Sequence, residues 1–425
     1  MDWSYATHYK CDDCENEYAL KNNKINLCLN CDGLLEVQYD LKKLKTDVTR
    51  ADFKNRKNGM WRWHEFFPLN NKKSIITLGE GDTPLIKSKY IAEKFGLENL
   101  YFKNDSLMPT GSFKDRGFSL AISFAKELGV SFGLTYSSGN AGLSFSSYTK
   151  RADIRALTLV EYLANPLKKS LIALSGGEVA ILYYDSMDEI TSLLNNINKK
   201  LDIYQFVNFI NPVRHEAMKT FAYEISEELN WKSPDYMIHP VGTGGGIWGA
   251  WKGFNELYEV GWINRLPKMI AVQPSATGPH VKAFNQGKKI VERVGDSTKT
   301  IAQSISADAP IKDGKRVLNA LYDSNGSAEE VTNSEIKDAI RDLGKEGIIA
   351  EPASAATVAG LKKLVNKGKI CSKSTIVCVI TGSGLKQPNL IQEMLGEDQR
   401  IIQANFQDFT KLLDTLEKER NHDEK

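Results

Sequence analysis

From residue 75 to about residue 390 the chain repeats one pattern. A short apolar run ends in a Gly- or Ser-rich turn, and a stretch with helical spacing follows. The runs predict strands at 134–138 (LTYSS), 155–160 (RALTLV), 178–184 (EVAILYY), 236–242 (YMIHPVG), 268–274 (KMIAVQP) and 375–382 (TIVCVITG). Sequences such as SMDEITSLLNNINKK and TGGGIWGAWKGFNELYE predict the helices between them. Strands alternating with helices predict an α/β fold of open, doubly wound parallel sheets covered on both faces. Ligands of such folds sit at the carboxyl ends of strands, where these turns fall. Residues 45–75 are mixed and charged, and read as a linker and helix that dock the N-terminal segment. Trp61, Trp63, Phe66 and Phe67 within them read as packing residues. Near the C-terminus, Phe409, Leu412, Leu413 and Leu416 line one side of an expected helix that frays into a charged tail.

Charge narrows the partners. Of 425 residues, 55 are Lys or Arg and 53 are Asp or Glu, a formal net charge of +2. No whole-protein field is available to hold a polyanion, so a nucleic-acid partner is not expected. No run approaches the roughly 18 apolar residues of a membrane span, and MDWSYATHYK lacks a basic-then-apolar signal pattern. The expected location is the cytoplasm, with no membrane partner.

Cysteine placement adds a metal. Cys11, Cys14, Cys28 and Cys31 follow a C-x2-C-x13-C-x2-C spacing. Two such pairs can set four thiolates around one structural zinc, with no coordination position left open for catalysis. The competing reading is two disulfides, which an oxidising compartment would require. By this reading, loss of the metal leaves an untethered flap on a working enzyme. Cys378, in TIVCVI, reads as a buried small hydrophobe, and Cys371 stands alone.

Four turns carry chemistry. In 109–117, PTGSFKDRG, Lys114 stands among Gly, Ser and Thr at the start of a helix, where the local field disfavours an ammonium and favours a nucleophilic amine. Alone, it would read as a solvated surface lysine. SSGNAG, 137–142, offers free backbone N–H groups to a carboxylate. GTGGG, 242–246, follows a strand and opens a helix, so Gly242, Thr243, Gly244, Gly245 and Gly246 form a phosphate cradle. It has no Lys-Ser or Lys-Thr pair and no acidic ribose partner, so it is neither a P-loop nor a dinucleotide fingerprint. ITGSGLK, 380–386, places the Thr381 hydroxyl at another strand end.

In chain order these segments resemble the threonine synthase family of fold-type II pyridoxal-phosphate enzymes. GEGDTPL (79–85), GSFKDRG, SSGNAG, GTGGG, EPASAA (351–356) and TGSGLK carry the likeness, over about residues 8–395. The resemblance implies a tryptophan synthase β-like fold with an N-terminal zinc-ribbon-like segment, and a lyase or replacement activity in amino-acid biosynthesis. Lys114 would carry the cofactor covalently and move protons. Asn140 would bond its 3′-oxygen, the GTGGG loop its phosphate and Thr381 its ring nitrogen. A neutral hydroxyl there leaves the ring a weaker electron sink, which suits elimination and replacement. Ser137, Ser138 and Gly139 would receive the substrate carboxylate. By analogy, a homodimer is expected. The implied division is a ribbon at 1–45, a large cofactor-binding domain at 46–117 and 207–395, a smaller mobile domain at 118–206 and a C-terminal helix and tail at 396–425.

The sequence departs from that family near the substrate. Ala141 stands where the family carries Thr, the phosphate loop lacks Asn, Phe209 replaces a serine, and SISADAP (304–310) replaces an Ile-Gly-Asn-Pro segment. Arg214 matches the arginine that binds substrate phosphate. Its alternative is a surface arginine in an ion pair. The first function is therefore threonine synthase, acting on O-phosphohomoserine and water. The second is β-replacement on an O-phosphoserine-like substrate with sulfite, or a Ser/Thr dehydratase. The intact GSFKDRG argues against a third, a binding protein without cofactor.

Overall fold

The computed structural model describes residues 2–21, 24–162, 166–395 and 400–423. Three strands begin the chain: β1 (Ala6–Cys11), β2 (Glu17–Ala19) and β3 (Leu35–Tyr39). They form an antiparallel sheet in the order β2-β1-β3, with Tyr9 opposite Val37. Next come β4 (Leu85–Lys87), β5 (Asn99–Asn104), β6 (Phe132–Tyr136), β7 (Arg155–Glu161), β8 (Glu178–Leu182) and β9 (Tyr204–Gln205). The last are β10 (Tyr236–Pro240), β11 (Lys268–Pro274), β12 (Ser327–Val331) and β13 (Thr375–Ile380). Among the described residues they build a six-stranded sheet, β12-β11-β10-β13-β5-β4, and a four-stranded one, β8-β7-β6-β9. Both are parallel except for β4, which runs antiparallel at an edge. The expected parallel α/β architecture is therefore present, with one antiparallel edge strand.

The six expected strands all form, with ends that differ by up to two residues. Ser137 and Ser138 leave the strand and enter the following turn, because Asn140 already opens a helix, Asn140–Ala152. Two long-range strands lack an apolar signature. β5 carries Lys103, whose buried ammonium is satisfied by Glu224 at 2.9 Å, Glu228 at 2.8 Å and the Thr83 carbonyl at 2.5 Å. β12 carries Glu329, neutralised by Lys367 at 2.6 Å. Buried charges of this kind are tolerated when paired, and they erase the hydrophobic run that marks a central strand.

The N-terminal sheet is part of the main core. Tyr9, Leu35 and Val37 belong to one apolar cluster with Phe53, Trp63, Phe66, Phe67 and with Ile247, Ala250 and Phe254 of the helix Gly245–Glu259. Polar clamps reinforce it. Arg316 donates to Asp12 at 2.7 Å and to the Leu35 carbonyl at 2.9 Å. Lys252 reaches the Val37 carbonyl at 2.6 Å and Glu216 at 2.8 Å, and Tyr39 donates to Glu216 at 3.0 Å. The ribbon thus shares apolar surface and buried charges with the body. Residues 45–75 are likewise core, since Phe53, Trp63, Phe66 and Phe67 are fully buried.

Residues up to Lys386 form one body, and Gln387–Lys425 form a second compact unit. In that unit the helix Phe406–Asp423 leaves Phe409, Leu413 and Leu416 exposed. Residues 396–399 and 424–425 of the expected tail lie outside the described residues. No described helix is long and apolar enough to cross a membrane.

Candidate active site

Lys114 begins the helix Lys114–Glu127, and the turn before it is stitched to a strand end. Phe113 N donates to the Thr381 carbonyl at 2.9 Å and Ser383 N to the Gly111 carbonyl at 3.0 Å. Glu351 N donates to the Gly382 carbonyl at 3.0 Å, so a third segment joins the same ladder. GSFKDRG, EPASAA and TGSGLK, far apart in sequence, therefore meet at the carboxyl end of β13. Asp115 fixes the turn from inside, accepting from Thr110 N at 2.7 Å and from the Ser144 hydroxyl at 2.6 Å. Burial raises its carboxyl to about 6 against those donors.

Enclosure lowers the Lys114 amine to about 7. Desolvation is the main cause, the Arg214 cation adds to it, and Glu351 opposes both. The amine lies 4.2 Å from the centre of the Phe113 ring. A surface lysine would behave otherwise, so the solvated reading does not hold. At neutral pH a large share of this amine carries a free electron pair.

Asn140 opens its helix beside this lysine turn. Its side-chain nitrogen donates to both oxygens of Glu351 at 3.0 Å, and its oxygen accepts from Lys386 at 2.7 Å. Lys386 also donates to the Gly111 carbonyl at 2.9 Å. Thr381 is buried, and its hydroxyl lies 3.0 Å from that of Ser354. The Ser138 hydroxyl accepts from Glu161 N at 2.9 Å, and that of Ser137 from Gly139 N at 3.3 Å, while open space surrounds Gly139.

The glycine loop is tight. Gly244 has φ +96°, and an added Cβ would come within 2.0 Å of Val317. At Gly245 it would meet Asn208 at 2.6 Å, and at Gly246 His239 at 2.4 Å. Gly242 has Ile305 backbone at 3.3 Å from its would-be Cβ. Thr243 accepts from Asn208 at 2.7 Å. At these four positions only glycine fits so close to its neighbours, and N–H groups at such a helix start suit an anion. His239, beneath the loop, is fully enclosed with an unpartnered Nε2, and burial lowers it to about 4.

Arg214 lies one helical turn along from the lysine. Its carbonyl would be 2.8 Å from a Cβ at Gly117, and its guanidinium stacks 4.2 Å from the Phe118 ring centre. It donates to the Phe206 carbonyl at 2.6 Å, while its Nε has no partner. Among the described residues no carboxylate pairs with it. Burial lowers it to about 9, so at neutral pH it remains a cation. The surface ion-pair reading is thereby excluded: this is a buried positive charge beside the lysine with no counter-ion among the described residues.

The comparisons with known proteins agree with this arrangement. The model of the pyridoxal-phosphate dependent enzyme family matches residues 76–382. The threonine synthase of Methanocaldococcus jannaschii is 38% identical over 89% of this chain and 93% of its own length. That of Methanosarcina acetivorans is 36% identical over 94% of this chain and 96% of its own. The chain belongs to the threonine synthase family of pyridoxal-phosphate dependent enzymes. The fold is shared more widely. Processed threonine deaminase isoform 2 of Solanum lycopersicum superposes with a TM-score of 0.61 at 22% identity, covering 74% of this chain and 84% of that one. Maize serine racemase gives 0.60 at 21%, covering 74% and 91%.

The residues present fit the family's cofactor. Among the described residues no carboxylate hydrogen-bonds the Lys114 amine, the glycine loop opens a helix as an anion cradle would, and Asn140, Thr381 and Ser354 offer neutral polar groups. The Thr381 hydroxyl has the Ser354 hydroxyl as its partner at 3.0 Å.

The four ribbon cysteines also converge. Their sulfurs lie within 4.8 Å of one another, with contacts of 3.4–3.5 Å. A tetrahedral zinc with Zn–S of about 2.3 Å requires S···S of about 3.8 Å, so the set is compatible with the ion. Gly33 is required beside it, since a Cβ there would meet the Cys11 sulfur at 2.7 Å. Cys378 is buried, as expected, and Cys371 is exposed.

Sequence reasoning on single residues missed Glu351, Lys386, Asn208 and Ser354. Glu351 and Lys386 stood inside quoted motifs, and a charge flanked by the small and apolar residues of GIIAEPASAA was the available signal. Asn208 had none beyond its nearness to Arg214.

Proposed function

We propose that this chain converts O-phosphohomoserine and water to threonine and phosphate. One observation carries the reading: Arg214, a buried cation without a counter-ion among the described residues, shares the pocket of Lys114. The relatives of threonine synthase name support the same substrate. A charge left unpaired in an interior is costly unless a ligand completes it, and a substrate phosphate does so.

Lys114, Asn140, the 242–246 loop and the Thr381–Ser354 hydroxyl pair would hold pyridoxal phosphate. Bound there, it supplies the electron sink for charge developed on substrate carbons. The Lys114 amine, lowered to about 7, is the group that takes and returns protons at those carbons. Ser137, Ser138, Gly139 and the first N–H groups of the helix Asn140–Ala152 receive the substrate carboxylate. Arg214 receives its phosphate, and the Phe206 carbonyl keeps the guanidinium aimed. Zinc at Cys11, Cys14, Cys28 and Cys31, a homodimer and a smaller domain at 118–206 that closes on substrate complete the reading.

The test is phosphate release from O-phosphohomoserine by the cofactor-loaded protein, with threonine formed in equal amount. No release from a visibly yellow protein would overturn the reading. Sulfite-dependent turnover of O-phosphoserine would then assign β-replacement, and 2-oxo acids formed from serine or threonine would assign dehydration.

A further inference from the structure

The segment that presents Arg214 is held from the metal ribbon. Asn26 is buried in the ribbon and forms a two-bond pair with the backbone of Gln205, 179 residues away. Its side-chain nitrogen donates to the Gln205 carbonyl at 2.9 Å, and its oxygen accepts from Gln205 N at 3.2 Å. The same carbonyl accepts from Asn211 at 3.0 Å. Asn211 in turn accepts from Arg214 N at 3.2 Å and from Val213 N at 3.0 Å. The next carbonyl along, that of Phe206, holds the Arg214 guanidinium. Both ends of the arginine, backbone and side chain, are thus referred to the stretch that Asn26 grips.

An apolar contact makes the second hold. Leu27 and Leu34 face each other across a single bridge, beside Cys28 and Gly33. They form one buried cluster with Phe209, and Trp248 packs against it. Phe209 has φ +60°, a left-handed conformation that a bulky residue keeps only where its surroundings impose it. Its ring also lies by the cofactor-phosphate loop, 3.9 Å from a would-be Cβ at Gly244. The four thiols fix where Asn26, Leu27 and Leu34 stand.

The geometry points to Asn26, Leu27 and Leu34 as positioning residues for Arg214: the ribbon sets the substrate-anion pocket of a site it does not touch. This rests on the reading of Arg214 as the anion-binding residue. Phe209, in the place of a polar residue, becomes the part of the loop that reads the ribbon.

The experiment measures inorganic phosphate binding to the full-length, cofactor-loaded protein by titration calorimetry, together with KM and kcat. The variants are Asn26→Ala, Phe209→Gly and Arg214→Met. Arg214→Met should lose measurable phosphate affinity. Asn26→Ala and Phe209→Gly should each weaken it about tenfold and raise KM for the phosphorylated substrate by the same factor. Their kcat should stay within twofold, with unchanged visible absorbance and metal content. Wild-type phosphate affinity in both, with affinity lost in Arg214→Met, would overturn the ribbon's role and leave the anion reading standing. Wild-type affinity in Arg214→Met would overturn both. Should Asn26→Ala fail to fold, Phe209→Gly decides, because glycine adopts φ +60° freely and severs the contact from the other side.

Discussion

Both oxygens of Glu351 accept from the side-chain nitrogen of Asn140, each at 3.0 Å. The carboxylate thereby fixes which way the amide faces, and it is also the acid that raises the proton affinity of Lys114. Glu351→Gln removes the charge and substitutes a group that donates as well as accepts. A charge-assisted hydrogen bond is worth about 1.5–3 kcal/mol, so kcat should fall roughly ten- to a hundredfold with the fold retained. An unchanged kcat would remove Glu351 from the site.

Lys114→Ala should give a protein with unaltered circular dichroism, no visible absorbance after incubation with pyridoxal phosphate, and no turnover. A yellow, active variant would defeat the cofactor assignment at this residue.

The lowered lysine should titrate visibly in cofactor-free protein. Amine acylation needs the unprotonated form, whose share grows as pH rises through the pKa. Site-resolved mass spectrometry should therefore show half-maximal reactivity of Lys114 near pH 7, whereas ordinary lysines lie near 10.4. Arg214→Met removes a like charge, and the midpoint should move to higher pH. A midpoint unmoved in that variant would mean that Arg214 and Lys114 do not share a pocket.

Arg116, in the same motif as Lys114, serves the fold. Its guanidinium is fully buried, donating to Asp105 at 2.8 and 2.9 Å, to Thr220 at 2.7 Å and to Glu224, which the arginine and Lys103 hold at about 2 against the opposing effect of burial. Arg116→Met strands the buried Asp105 carboxylate and leaves Glu224 to Lys103 alone, and should cost about 3–5 kcal/mol. Denaturant unfolding measures it, and a loss under 1 kcal/mol would contradict the network.

Metal analysis should find about one zinc per chain. Chelation should lower the melting temperature of the whole body in a single transition, because ribbon and body share one core. A separate low-temperature step with the main transition unmoved would show that the ribbon is an independent flap.

Much of this was legible in the sequence, for reasons that differ by residue. The glycine loop and the lysine turn are local, and their chemistry needs residue types that stand out wherever they occur. The central strand β13 is uniformly apolar because it is covered on both faces. β5 and β12 were invisible because Lys103 and Glu329 are neutralised by residues more than 35 positions away. Glu351 hid for the same reason: its partner Asn140 is 211 residues distant. The ribbon's integration was illegible because Asp12, Glu36 and Tyr39 read as solvated until Arg316, Lys252 and Glu216 are placed beside them.

The place of β13 governs how this protein is made. It is the last strand among the described residues, yet it lies between β10 and β5, and Thr381 at its end anchors the turn before Lys114. A chain emerging from the ribosome therefore carries two half-sheets with open edges, β4 with β5 and β10 with β11 and β12, between the arrival of Val331 and that of Thr375. Exposed edges recruit other chains. The lysine turn gains its backbone partners only when residues 375–383 arrive, so a truncated product would present the lysine without a site. The turn that carries the lysine is completed only once the strand end that holds it has been made.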